Sequence, residues 1–147
     1  MKKVRLTVLV TVLAASVAAT AAFASTKTST IELKSTAVGK VLVGPNGHTL
    51  YLFTADKGAK SVCYGQCATY WPPLIAGKPT AGAGLNASKL GTTKRKDGKL
   101  QVTYSGHPLY YFALDKKVGA IKGQGFVHFG GTWWTVSAAG TKVTTKP

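Results

Sequence analysis

Tyr51, Phe53 and Asp56 return in register as Tyr110, Phe112 and Asp115, inside a phrase that reads Gly-His-x-Leu-Tyr-x-Phe-x-x-Asp both times. Asp56 and Asp115 are two of only four acidic residues in the chain. Two carboxylates at matched positions could form an acid–base pair for hydrolysis or hold a cation. Hydrolysis by paired carboxylates needs the two groups in one cleft, about 5–10 Å apart. The plainer reading is structural. Tyr and Phe at i and i+2 share one face of a strand. Asp three residues later falls at the strand end, where it can accept backbone N–H bonds or a tyrosine hydroxyl.

A second constellation is Cys63-Tyr64-Gly65-Gln66-Cys67. Two cysteines in an exported chain ordinarily pair, and Gly65 lets the backbone turn between them. A loop this short adds about 2 kcal/mol at most in the chain-entropy account. The rival readings are a redox dithiol and a metal pair, the latter needing His48, His107 or His128 to converge on the thiolates. Covalent haem expects two spacer residues and a following His, whereas three residues separate these cysteines and Ala68 follows Cys67. His48 and His107 each follow a turn glycine, which suits half-exposed strand-start residues. Trp71-Pro72-Pro73 is a rigid extended segment, read either as a lid on the core or, at Trp71, as an aromatic platform for a ring-shaped ligand. No Ser/His/Asp triad and no phosphate-binding glycine loop is present. The sequence therefore assigns no catalytic residue, metal or cofactor.

The elements that must position these groups are strands. Val38 to Val43, a turn at Pro45-Asn46-Gly47, and His48 to Phe53 read as a hairpin. Leu100 to Tyr104, Ser105-Gly106 and His107 to Phe112 repeat it. A third hairpin is expected at Phe126 to Phe129, Gly130-Gly131 and Thr132 to Ser137. Leu50 and Leu52 face one way, Tyr51 and Phe53 the other, and neither face is polar, so both should be covered. Trp133 and Trp134 must likewise face opposite sides. A short helical piece is expected near Asn86 to Leu90. No long helical period is present after the N-terminal segment. The expected fold is all-β, a small antiparallel barrel or sandwich built from two tandem hairpin repeats.

The N-terminus reads as a secretory signal peptide over residues 1–24. Lys2, Lys3 and Arg5 precede an apolar run from Leu6 to Ala19, and Ala22-Phe23-Ala24 offers a cleavage site after Ala24. Neither cysteine lies at that site, so no lipid anchor is expected. The remaining organisation is a flexible lead-in over 25–37, a two-repeat domain over 38–140 and a polar tail over 141–147. Within the domain, repeat 1 covers 38–75, a connecting loop 76–99 and repeat 2 100–140. The formal net charge is +15. On an exported chain, that charge points to anionic cell-envelope polymers rather than nucleic acid as partners.

The repeat, with Cys-x-Gly-x-Cys-Ala-x-x-Trp-Pro-Pro between its copies, resembles a bacterial family of exported proteins. It is known as the secreted repeat of unknown function, or predicted lipoproteins with a Tyr-x-(Phe/Trp/Tyr)-x-x-Asp motif. Gln101-Val102-Thr103-Tyr104, Gly123-Gln124-Gly125 and Gly130-Gly131-Thr132-Trp133-Trp134 extend the match. The resemblance implies a secreted or periplasmic location and a repeat fold, and it implies no reaction. Many relatives carry a lipid-anchoring Cys at the mature N-terminus, which this chain lacks. The expected function is an exported, non-enzymatic β-repeat module associated with the envelope. The alternatives are a redox or haem/metal-handling accessory protein using Cys63 and Cys67, and a hydrolase with a paired-carboxylate site.

Overall fold

The computed structural model describes residues 29–147. The expected signal peptide and its cleavage point lie outside the described residues. Among the described residues nine strands form, in order β1 (Ser29–Thr36), β2 (Gly39–Val43), β3 (Tyr51–Phe53), β4 (Pro79–Ala81), β5 (Leu90–Lys94), β6 (Leu100–Tyr104), β7 (His107–Pro108), β8 (Phe126–His128) and β9 (Gly131–Thr135). One short helix, α1 (Gln66–Tyr70), precedes Trp71. The strands make three small sheets of order β2-β1-β4, β3-β9-β8 and β5-β6-β7. The expected all-β class holds, in its sandwich form, with no closed barrel among the described residues. All pairings between these strands are antiparallel except β1 with β4.

Alternation along Leu50 to Phe53 divides the interior into two clusters. Leu50 and Leu52 join Ile31, Leu42, Val102, Leu109 and Val136 on one side. Tyr51 and Phe53 join Trp71, Tyr110, Phe112, Trp133 and the two cysteines on the other. Trp133 and Trp134 divide between the same two clusters. A chain with apolar residues on both faces of its strands must be covered twice, and the sandwich supplies both covers.

The repeats are entwined rather than side by side. Tyr51 N–H donates to Tyr110 O (2.8 Å) and Tyr110 N–H to Tyr51 O (3.0 Å). This reciprocal pair is the centre of a pseudo-two-fold arrangement. From it, β3 of repeat 1 runs on to pair with β9 of repeat 2, Phe53 opposite Trp133. The equivalent stretch of repeat 2 pairs with repeat 1: Tyr110 bridges Pro73, Tyr111 N–H donates to Pro72 O and Ala113 N–H to Tyr70 O. Each repeat thus completes the strand pairing of the other.

Several sequence boundaries are corrected. The flexible lead-in over 25–37 is, from Ser29 onward, strand β1, held by β2 on one side and β4 on the other. Its Ser and Thr content reads as loop, but Ile31 is fully buried and fixes the register. The connecting loop over 76–99 contains β4, a 3-10 turn at Ala87–Lys89 capped by Asn86, and β5. The return strand His48 to Phe53 leaves its hairpin partner after the Val43–Thr49 bridge and the Leu50–Leu42 bond, because Tyr51 and Phe53 are covered from the other repeat. The third hairpin turns at Phe129-Gly130, both with positive φ (55° and 81°), one residue before the expected Gly130-Gly131. Gly131 is needed on the strand itself, where a Cβ would overlap the Phe53 ring. The polar tail over 141–147 is pinned as far as Thr145, since Gln124 Nε2 donates to both Val143 O and Thr145 O.

Entwined repeats predict that neither half is stable alone. Fragments 25–83 and 84–147, divided in the exposed Ala83-Gly84 stretch, should each lack the near-ultraviolet signature of packed tryptophan. Mixing them at equal concentration should restore it. Independent folding of either fragment would contradict the exchanged pairing.

Candidate functional site

The duplicated tyrosines and aspartates meet across the repeats. Tyr51 Oη donates to Asp115 Oδ2 at 2.6 Å, and Tyr110 Oη donates to Asp56 Oδ2 at 2.8 Å. Each aspartate closes a turn after its strand, Asp56 N–H bonding Phe53 O and Asp115 N–H bonding Phe112 O. The second carboxylate oxygen is also engaged, by Val62 N–H for Asp56 and Lys122 N–H for Asp115, both at 2.9 Å. The two carboxyls are therefore tied to different tyrosines and different loops. Burial raises Asp56 from 3.8 to about 6, against the Val62 N–H, the Tyr110 hydroxyl and the Arg95 charge, which lower it. Burial also raises Asp115, against the Tyr51 hydroxyl and the Lys122 N–H. Both phenols are raised above their ordinary value, first by burial and then by the adjoining carboxylate. They stay protonated donors across the working pH range.

Beneath these pairs four rings stack in a column. Phe53 lies on Trp133 (4.0 Å, 6°), Trp133 on Trp71 (3.9 Å, 3°) and Trp71 on Phe112 (4.1 Å, 22°). Tyr51 meets Trp71 edge-on and Tyr110 meets Trp133 edge-on. The expectation of an aromatic platform at Trp71 is overturned. The residue is 0% exposed and both of its faces are covered. Its indole N–H donates to His128 Nδ1 at 3.3 Å, while Trp133 Nε1 donates to His128 O at 3.2 Å.

Cys63 and Cys67 form a disulfide, with Cα atoms 5.2 Å apart, across the start of α1. Both are buried against the aromatic column. The histidines go elsewhere: His48 Nδ1 lies 2.8 Å from Asp115 O, His107 begins β7, and His128 receives the Trp71 indole. Among the described residues no three His, Cys, Asp or Glu side chains gather as a metal-ligand set.

Arg95 is the residue that sequence reasoning missed. The Lys94-Arg95-Lys96 cluster reads as a solvated turn tip, yet Arg95 is only 5% exposed. Its Nη1 donates to Ser61 Oγ (3.0 Å) and Gln101 Oε1 (2.7 Å), and its Nη2 to Cys63 O (2.7 Å). Ser61 Oγ lies 2.7 Å from Tyr110 Oη, so a continuous polar chain runs from Arg95 through Ser61 and Tyr110 to Asp56. Tyr64 stacks over the guanidinium at 4.3 Å. The available signal was Arg95 standing as the lone arginine after Arg5 in a lysine-rich chain. A planar fork with several fixed donors suits a buried junction where a lysine would not.

One cleft of about 450 Å³ opens beside the Asp56 half, lined among others by Leu52, Thr54, Asp56, His107, Thr141 and Lys142. No equivalent residues from the Asp115 half line it.

Compared with known proteins, the chain matches the family model described as a secreted repeat of unknown function twice, over residues 32–75 and 91–137, and it belongs to that family. No curated protein and no solved structure matches it.

The raised aspartates set the sign of the pH dependence. Asp56 ionises near 3.8 in the unfolded chain and near 6 in the folded one. The folded state therefore holds the extra proton, and stability falls as pH rises through that window. Asp56 and Asp115 act in the same direction, since burial raises both. Chemical denaturation should show a higher midpoint at pH 4 than at pH 7. Asp56→Asn should flatten that slope, whereas Asp56→Ala should lose about 1 kcal/mol at pH 4 by removing the bonds to Tyr110 and Val62, Tyr110 keeping its contact with Ser61. Stability that climbs from pH 4 to pH 7 would contradict the assignment.

Proposed function

We propose that the protein is an exported, non-enzymatic binding module that attaches to anionic polymers of the cell envelope. One observation carries the reading: two of the four acids, Asp56 and Asp115, are taken up by the fold, while the described lysines stand without carboxylate partners. Asp56 and Asp115 are consumed by the exchanged tyrosine bonds. Among the described residues one ion pair exists, Arg95 Nε to Asp97 Oδ2 at 4.0 Å. No described lysine has a carboxylate partner. Lys57, Lys60, Lys94, Lys96, Lys99, Lys116, Lys117, Lys122 and Lys142 are all exposed. Such a surface attracts polyanions over the screening distance and holds them without a shaped pocket. The packed interior supports this role, because the conspicuous motif side chains are committed to packing and hydrogen bonding.

Export belongs to the same reading. Removal of residues 1–24 would deliver the basic domain to the compartment where such polymers lie. The exported protein should begin at Ser25 on N-terminal sequencing; recovery of membrane-held protein retaining Met1 would count against it.

Retention on an anionic glycan resin should fall steeply between about 20 mM and 150 mM salt, as the screening length shortens toward about 8 Å. A neutral glycan resin should retain little at either salt. Replacing Lys94, Lys96 and Lys99 by Gln should weaken retention several-fold and reduce its salt dependence. Retention that is unaffected by salt and by these replacements would sink the electrostatic reading.

A further inference from the structure

The two halves of the molecule differ at one matched place. In the Asp115 half, the segment that follows the aspartate lies across the His48 turn. His48 Nδ1 is 2.8 Å from Asp115 O, Thr49 Oγ1 donates to Ala120 O at 2.8 Å, and Val118 packs beside Gly47. Tyr111 fills the neighbouring space, lying so close over Gly44 that a Cβ there would overlap its phenol.

In the Asp56 half each of these contacts is missing. The segment after Asp56 folds back on itself, Lys57 and Lys60 exchanging both backbone bonds at 3.1 Å. It never reaches the His107 turn. Gly106, the counterpart of Gly47, has nothing within 4 Å of where a Cβ would stand. Among the described residues His107 makes no side-chain hydrogen bond, although its counterpart His48 does. Leu52 takes the place of Tyr111 and is too short to fill the space. What remains is the cleft of about 450 Å³ between the end of β3, the Asp56 turn, His107 and the Gly140 to Lys142 stretch.

We propose that this cleft is a binding site for a short turn-forming peptide supplied from outside the domain, seated as Asp115 to Ala120, which closes a turn between Lys117 and Ala120, is seated in the other half. The molecule carries its own template for the occupant. A backbone carbonyl should meet the His107 ring, as Asp115 O meets His48. A valine-sized side chain three residues later should rest beside Gly106, as Val118 rests beside Gly47. Lys57, Lys60 and Lys142 stand around the opening and are exposed, so the preferred peptide is acidic where the internal segment carries Lys116 and Lys117. A metal ion does not fit the lining, which offers only Asp56 and His107 as strong ligands. This site is separate from the diffuse lysine surface, and its test is made at about 150 mM salt, where surface attraction is largely screened.

The experiment is a titration of the intact exported domain with two capped octapeptides, followed by amide NMR. One copies the chain from Leu114 to Ile121; the second replaces its two lysines by glutamate. Both should shift the amides of Thr54, Gly106, His107, Thr141 and Lys142 saturably, and the acidic peptide should bind at least about fivefold more tightly. His107→Ala should weaken binding several-fold without moving the denaturation midpoint. His107→Asn, which keeps a hydrogen-bonding group, should recover part of the loss. No shift at millimolar peptide, or shifts that His107→Ala leaves unchanged, would overturn the proposal. So would a disaccharide that perturbs the same amides more strongly than either peptide.

Discussion

The reciprocal backbone pair between Tyr51 and Tyr110 is the constraint from which the rest of this architecture follows. Once the two tyrosines face each other across a pseudo-two-fold axis, each strand must continue onto the partner strand of the other repeat. The phenols then reach aspartates that neither repeat could offer its own tyrosine. A buried phenol without a partner costs about 1–3 kcal/mol, and a buried carboxylate costs more unless it is bonded. Exchanging the pairs satisfies all four groups at once, and it makes each repeat incomplete alone. A two-repeat chain is therefore the smallest unit in which the motif can be satisfied.

The aromatic column obeys the same symmetry. Phe53 and Phe112 cap its ends, with Trp133 and Trp71 between them, so each repeat contributes one outer and one inner ring. Favourable aromatic contacts add about 0.5–1.5 kcal/mol each beyond the area they bury. What differs is how the loops after the two aspartates are held. In repeat 1 the disulfide and α1 brace the chain on its way to Trp71. In repeat 2 the β8–β9 hairpin does so on the way to Trp133, without cysteine. Two chemistries thus deliver the same indole to the same column, which gives the disulfide a plain structural role.

The symmetric part of the fold was legible in the sequence because it is written twice. The phrase ending in Tyr-x-Phe-x-x-Asp locates both strand ends, and the two-faced apolar pattern locates both core clusters. The exchange between repeats was not legible, since strand periodicity specifies which face a side chain takes and says nothing of which strand will pair beside it. Strand β1 was missed because only Ile31 and Leu33 mark it within a Ser- and Thr-rich run. Arg95 was missed because charge density argues for solvent, whereas its burial depends on Ser61, Gln101 and the Cys63 carbonyl arriving from three separate places in the chain. The turn at Phe129-Gly130 slipped by one residue because Gly131 is required by the bulk of the Phe53 ring, a tertiary reason that no local pattern contains.

This division bears on where function can reside. A residue that recurs in both repeats and sits on the symmetry-related contact has its identity explained by the fold: Tyr, Phe and Asp of the motif are all of that kind. Ligand chemistry then belongs where the halves diverge, since divergence there leaves the shared scaffold intact. The largest divergence lies after the aspartates. One segment closes over its histidine turn, and the other folds back, so the matching turn is met by the Ala139–Gly140 stretch and opens onto the cleft. The same fold-back places Asp56, whose carboxyl burial raises to about 6, at the edge of the opening, while its twin Asp115 is sealed at 3% exposure. Two carboxyls that began in equivalent roles are thereby separated, one confined to the core and one in reach of whatever enters the cleft.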